Sequence, residues 1–171
     1  MKAALSPRDF GLIAAGAALL LDQLTKLFLL YGLGFATEPY DSHIISVLPF
    51  FNVVMVWNKG VSYGWLSWIG PVALVLFTIL VVAFLGWWLW VSTRKTLAVG
   101  LGLIIGGALG NLVDRLVHGR VADFFHFYAH GYDWYVFNVA DAAITFGVIA
   151  MLYDALLKPE TKTADGGGAG S

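Results

Sequence analysis

The stretch GGALGNLVDRLVHGRVADFFHFYAHGYDWYVFNVAD, residues 106–141, decides how this chain folds. It opens as an apolar run that carries Asn111, Asp114 and Arg115 near its end. It crosses an aromatic connector with one carboxylate, Asp123, near the start. It closes on Asp141, at the head of a second apolar run that continues to about residue 157. Both runs reach the ~20 residues that span a bilayer. An ionisable residue inside a span is expensive and marks a functional site by default. Here the polar groups gather at facing ends of two spans, with Asp123 between them.

Composition supports a membrane protein. The 171 residues are 59% hydrophobic and 12% charged, whereas a soluble domain is nearer ~45–50% apolar and ~25% charged. A net charge of −1 offers no basic surface for nucleic acid. The absence of cysteine removes disulfides, thiolate catalysis and cysteine-type zinc sites together. The length suits one membrane-embedded domain over residues 1–157, followed by a polar, Gly-rich tail, 158–171, that is expected to be disordered.

Four spans are expected, at about 10–31, 69–91, 97–118 and 137–157. The first has a basic start and an Ala/Gly-rich middle, like a signal peptide. It runs past Asp22 and Lys26, beyond the ~7–15 apolar residues of a signal sequence, and so reads as an uncleaved helix. Asp22 and Lys26 lie four apart, acid first, which puts them on one helix face in the better ion-pair orientation. A self-neutralising structural pair and a direct catalytic role are both open for them. In the second span Pro71 falls in the first turn, where its missing N–H does no harm. Trp65 and Trp68 flank one end of that span, and Trp87, Trp88 and Trp90 the other, as an aromatic belt would. The third carries Gly102, Gly106 and Gly110, a repeated GxxxG that lets a neighbouring backbone approach closely.

Residues 32–67 do not span. Gly32, Gly34 and Pro39 break the helix, and Glu38 and Asp41 mark a wet loop. The following HIISVLPFFNVVMVWNKG predicts two short strands at the membrane surface, ending at the turn signature Asn58-Lys59-Gly60. The favoured reading of Asn58 on this pattern is a turn residue. The expected fold is therefore an all-α membrane bundle of four transmembrane helices with a small β-rich extracytoplasmic element.

Lys and Arg set the orientation. The N-terminal tail, the loop after the second span and the C-terminal tail hold two each, while segments 32–68 and 119–136 hold one each. The positive-inside rule then puts both termini in the cytoplasm and both β-like connectors outside. With that orientation Asp22, Lys26, Asn111, Asp114, Arg115, Asn138 and Asp141 share one outer layer, as a pocket open to the outer leaflet requires.

The connector has turn chemistry at His130-Gly131 between aromatic runs and predicts a hairpin. A turn centred there places Asp123 opposite Asn138. Asp141 follows three residues later on the same helix face, within about one turn, or ~5.4 Å of rise. Two converging carboxyls share a proton, the arrangement by which aspartic proteases activate water. A weaker reading makes Asp123, His126 and His130 metal ligands, but the His spacing needs a helix that this connector does not suggest. The sequence has no HExxH and no GxSxG, and Ser62 has no obvious base.

Four motifs in order resemble the bacterial lipoprotein signal peptidases (signal peptidase II), a family of aspartic endopeptidases. They are DQLTK at 22–26, NKGVSYG at 58–64, GGALGNLVDRLVHGRVADF at 106–124 and FNVADAAITFG at 137–147, within a resemblance over about 10–157. The resemblance implies that Asp123 and Asp141 are the catalytic dyad. It implies that Asp22, Lys26, Asn58, Asn111, Asp114, Arg115 and Asn138 line or brace the site. Ala142 departs from the Ser often found after the second aspartate and leaves the dyad itself intact. The resemblance further implies cleavage of prolipoproteins before the diacylglyceryl-modified lipobox cysteine, in the bacterial inner membrane, with membrane lipid as the other partner. No cofactor or metal is expected, and the chain is expected to act as a monomer. A small transporter, whose buried acids carry protons, is the rival class, but its usual inverted repeats and broken helices are not evident. A purely structural subunit would not need the two aspartates.

Overall fold

The computed structural model describes residues 4–36, 44–60 and 70–157. The expected tail, Ser62 and the tryptophans at 65 and 68 lie outside those residues. Helix α1, Pro7–Leu27, starts three residues before the apolar run does. Ser6 and Asp9 form a capping box, with the Ser6 N–H donating to Asp9 Oδ2 at 2.7 Å, and Pro7 takes a first-turn position. The sequence SPRD, read above as part of a polar tail, is thus a helix start. The helix passes into a π-helical turn, Phe28–Gly32. Helices α2 (Pro71–Val91), α3 (Lys95–His118) and α4 (Val139–Leu157) complete four helices long and apolar enough to cross a membrane.

Helix α3 is the centre of the bundle, and its glycines explain why. Gly102 and Gly106 lie against the α1 backbone carbonyls of Gly11 and Ala15, and Gly110 against the Asp22 carboxylate. A second stripe, not evident in the sequence reading, faces the other way. Gly100 meets the carbonyl of Gly147 and Gly107 that of Ala140, both on α4. In a bilayer lipid offers no hydrophobic incentive for association, so close backbone packing of this kind holds the helices together. Helix α2 instead packs through Leu85 and Leu89 onto Ala98, Leu101 and Ile105, and exposes Val72, Leu76, Phe77, Leu80 and Phe84 as a lipid-facing side.

Strands β1 (Ile45–Leu48), β2 (Phe51–Asn58), β3 (Val121–Ala129) and β4 (Tyr132–Asp133) form one antiparallel sheet in that order. The two short strands before Asn58 and the hairpin after Gly119 were legible in the sequence. Their union was not: β2 pairs with β3, with Val56 opposite Asp123 and Asn58 opposite Val121. Propensity identifies strands, whereas a pairing across more than sixty residues depends on tertiary packing. That packing is a core of Leu29, Leu30, Phe35, Met55, Ala122 and Phe124, which seats the sheet on the π-helical turn of α1. Phe35 and Phe124 meet edge to face with centroids 6.1 Å apart.

The β3–β4 turn falls where expected. His130 (φ 50°) and Gly131 (φ 81°) both take the left-handed conformation of a two-residue hairpin turn. Tyr128 then faces Asp133 and Ala129 faces Tyr132. The simple register does not persist, however. Phe125 pairs with Phe137, one residue beyond its partner in that count, and the Phe137 carbonyl accepts from both Phe124 and Phe125. Asp123 is therefore not the plain cross-strand neighbour of Asn138, and the two meet through the Asn138 side chain instead. At the other end of β3, Gly119 (φ 70°) closes α3 with its N–H on the Arg115 carbonyl at 3.0 Å, turning the chain toward Asp123.

Candidate active site

The site is built up from α1. Lys26 Nζ sits between two carboxylates, 2.7 Å from Asp22 Oδ2 and 2.8 Å from Asp114 Oδ2, and also donates to Asn111 Oδ1 at 3.2 Å. All four residues are buried. Taking such charges out of water is costly unless they are paired and hydrogen-bonded, and here each charge is. Asp22 Oδ1 accepts the backbone N–H of Ala140 at 2.9 Å. Asp114 Oδ2 accepts that of Ala122 at 3.1 Å. The Asp22–Lys26 pair is thus not a closed unit. Its acid occupies the positive N-terminal end of α4, and its base ties α1 to α3. Gln23, which the sequence reading passed over, donates to Asp22 Oδ2 at 3.1 Å and to Asp114 Oδ1 at 3.3 Å.

The next layer is the start of α4. Asn138 Oδ1 accepts the Asp141 N–H at 2.9 Å, while Asp141 Oδ2 accepts the Asn138 N–H at 3.2 Å. This is a reciprocal capping box, and NVAD carries it as Asn-x-x-Asp, a signal present in the sequence but read there only as helix-face spacing. The Asn138 amide Nδ2 lies 2.6 Å from Asp123 Oδ1 and 3.1 Å from Asn111 Oδ1. One residue therefore touches both candidate aspartates. Asn111 completes the link, donating from Nδ2 to Asp141 Oδ1 at 2.9 Å.

Asp123 reaches this cluster from β3. Its Oδ2 accepts from Asn58 Nδ2 at 3.1 Å. Asn58 also behaves as the turn residue expected of it, because its Oδ1 accepts the Gly60 N–H at 2.8 Å. Asp123 is 1% exposed, whereas Asp141 is half-buried. Burial first, and then the neighbouring Asp141 carboxylate, push the Asp123 carboxyl from its usual 3.8 up to about 7. The hydrogen bonds from Asn58 and Asn138 act in the opposite direction without cancelling this.

Of the remaining residues, Arg115 is held more loosely than the motif suggests. Its Nη1 reaches the Asn111 carbonyl at 3.4 Å, and its buried Nε has no partner among the described residues. His126 is drawn to Asp133 at 3.3 Å, and no group of three metal-ligating side chains converges among the described residues. A pocket of about 800 Å³ opens beside Asp123, with Met55, Trp57, Asn58 and Tyr135 in its wall. Tyr135 was also not singled out by sequence, and its hydroxyl lies 2.7 Å from Asn58 Nδ2.

Comparison with known proteins agrees with this arrangement of motifs. The family model for signal peptidase (SPase) II matches residues 14–157. The lipoprotein signal peptidase of Rhodopseudomonas palustris is 47% identical over 160 residues, covering 90% of this chain and 95% of the relative. That of Nitrobacter hamburgensis is 45% identical over 161 residues, covering 90% and 96%. Two solved structures, each described as a bacterial membrane enzyme determined by the in meso method, share the fold. One has a TM-score of 0.75 at 28% identity, covering 90% of this chain and 92% of its own. The other has a TM-score of 0.73 at 30% identity, covering 85% and 92%.

Proposed function

The chain belongs to the signal peptidase II family and is a multi-pass bacterial membrane protein, and we propose that it is an aspartic endopeptidase that cuts prolipoproteins before the diacylglyceryl-modified cysteine. Asp123 and Asp141 are its catalytic pair. The observation that carries this reading is Asn138, whose side-chain amide holds one carboxylate while its backbone N–H holds the other.

The two acids divide the work because their surroundings differ. Asp123, dry and raised to about 7, holds the proton. Asp141 accepts from Asn111 and from the Asn138 N–H, which hold its carboxylate in place. Asp141 takes a proton from a water whose oxygen adds to the scissile carbonyl carbon. Asp123 donates its hydrogen bond, and then its proton, to the carbonyl oxygen. A tetrahedral diol results. Asp141 next gives its proton to the leaving cysteine nitrogen as the C–N bond breaks, and Asp123 recovers a proton from the diol hydroxyl as the carbonyl re-forms. The products are the signal-peptide carboxylate and the lipidated cysteine amine. Asp22, Lys26, Asn111 and Asp114 fix the two helix ends against each other, and Asn58 fixes Asp123.

We place the termini in the cytoplasm and the site at the outer face of the inner membrane, on the Lys/Arg asymmetry. Residues 1–157 act as one peptidase unit, as a monomer and without a cofactor. Recognition rests on the lipid. Each buried CH₂ contributes ~0.8 kcal/mol, so partial burial of two acyl chains outweighs a few peptide hydrogen bonds. The lipid also sets the depth of the scissile bond, and a misplacement of about 1 Å costs on the order of a hundredfold in rate. The test is a pair of prolipoproteins differing only in the diacylglyceryl group, assayed in detergent micelles. A much lower kcat/KM for the unlipidated substrate is expected. Equal values would remove the lipid from the mechanism and leave a general intramembrane protease.

A further inference from the structure

We infer that Tyr135 is a positioning residue for Asp123, acting through the Asn58 amide. The amide has three partners and they settle its orientation. Its Oδ1 takes the Gly60 N–H at 2.8 Å, so the other end is Nδ2 with two hydrogens. Those hydrogens have two acceptors, Asp123 Oδ2 at 3.1 Å and the Tyr135 hydroxyl oxygen at 2.7 Å. The shorter contact is the one to Tyr135. Swinging the amide away from Asp123 therefore requires breaking the Tyr135 bond as well.

The backbone that carries Tyr135 is held on both sides. The residue stands on the short return from the hairpin to α4. The Trp134 N–H is bonded to the Phe127 carbonyl at 2.7 Å, and Phe137 exchanges N–H and carbonyl bonds with Phe125 at 3.1 and 2.8 Å. The register slip described above falls within this same return. It sets Tyr135 beside Asn58 and puts Asn138 beside Asp123. Asp123 is thus gripped by two amides, one braced by the capping box and the other by a tyrosine. Tyr135 is 47% exposed, so removing its hydroxyl disturbs no core.

The role has a signature that simple structural support lacks. A hydrogen bond from Asn58 favours the charged form of Asp123, so loosening it moves the Asp123 titration upward. Among the described residues the charged groups around Asp123 include Asp141 on α4, Lys26 on α1, and Lys59, His126 and Asp133 along the pocket wall, and the substitution leaves these in place.

This inference rests on the proposed dyad, and its test separates the two. In full-length protein with ¹³C-labelled aspartate, the Asp123 carboxyl is titrated by NMR, its signal assigned by its loss in Asp123→Asn. Tyr135→Phe is expected to raise the midpoint by about half a unit to one unit. It should lower kcat about threefold to tenfold, the scale of one hydrogen bond, with KM unchanged. In an Asn58→Ala background the same substitution should leave the midpoint where it is. An unmoved midpoint in Tyr135→Phe, or an equal shift with and without Asn58, would overturn the inference. Full activity of Asp123→Asn would instead overturn the dyad, whatever the titration shows.

Discussion

The two ends of the bundle both bury ionisable groups, and they do so differently. At the end away from the sheet, Arg94 Nη2 meets Asp154 Oδ2 at 2.6 Å and also bonds the Asp154 carbonyl, joining the loop before α3 to the last turn of α4. Among the described residues this base is paired with one acid, and the two charges cancel. At the sheet end, Asp22, Asp114, Asp123 and Asp141 face Lys26, with Arg115 at the edge. Acids outnumber bases there. A balanced pair is a fastener, whereas an excess of buried carboxylates must retain a proton, which is then available for chemistry. Burial of charge alone therefore does not mark a site in this fold; imbalance does.

The largest expected effect lies at the unbalanced end. Asp123→Asn and Asp141→Asn should each lower cleavage of a lipidated prolipoprotein by a factor of about a thousand, within the range for loss of one general acid or base. Asn keeps the size and one of the two hydrogen bonds that each carboxylate accepts, so circular dichroism should stay near that of the parent and the unfolding midpoint should fall only modestly. Activity in either variant would break the contrast. Lys26→Met comes next. It leaves Asp22 and Asp114 facing each other without a base, and a buried pair deprived of one partner costs about 3–5 kcal/mol. The effect should appear as a lower unfolding midpoint in detergent. Asp114→Asn should follow it in kind but less in degree, because Asn still accepts the Ala122 N–H.

The balanced end should respond less and only in stability. Asp154→Asn removes the Asp154 carboxylate from beside the Arg94 guanidinium, which is about one-third exposed. A loss of about 1 kcal/mol is expected, the scale of one polar contact with a partly exposed partner. Cleavage should be unchanged once the protein is folded. A kcat that fell in step with stability would mean that the two ends are coupled.

How far the sequence foretold this can be traced residue by residue. The four spans were legible because apolar length is a strong signal. The GxxxG stripe toward α1 was legible because its spacing is local, while Gly100 and Gly107 were not, since their partner stripe lies on α4. Asp123 and Asp141 stood out as isolated acids in apolar surroundings, and the meeting of their elements was anticipated by way of the hairpin turn. The route was different: the register slips before Phe137, and side-chain amides bridge the gap. The pairing of β2 with β3, which brings Asn58 to Asp123, depends on a core assembled from distant segments and left no local trace. Arg94 entered only as one of the charges in its loop and Asp154 was not singled out, because nothing local distinguishes a buried partner from a solvated one.

The claim that the acid-rich end keeps a proton on Asp123 has a direct test in pH. The folded state binds that proton more tightly than the unfolded chain does. Between the ordinary 3.8 and about 7 the stability from this group therefore falls as pH rises, and Asp123→Asn should remove that slope. In the proposed mechanism catalysis needs the same proton. The deciding measurement is kcat/KM for a lipidated prolipoprotein from pH 5 to 9. The expected profile turns down near pH 7 and falls about tenfold per unit above it, as loss of one essential proton requires. A profile that stays level or rises through pH 9 would contradict the account, because the enzyme would then be working with both aspartates ionised.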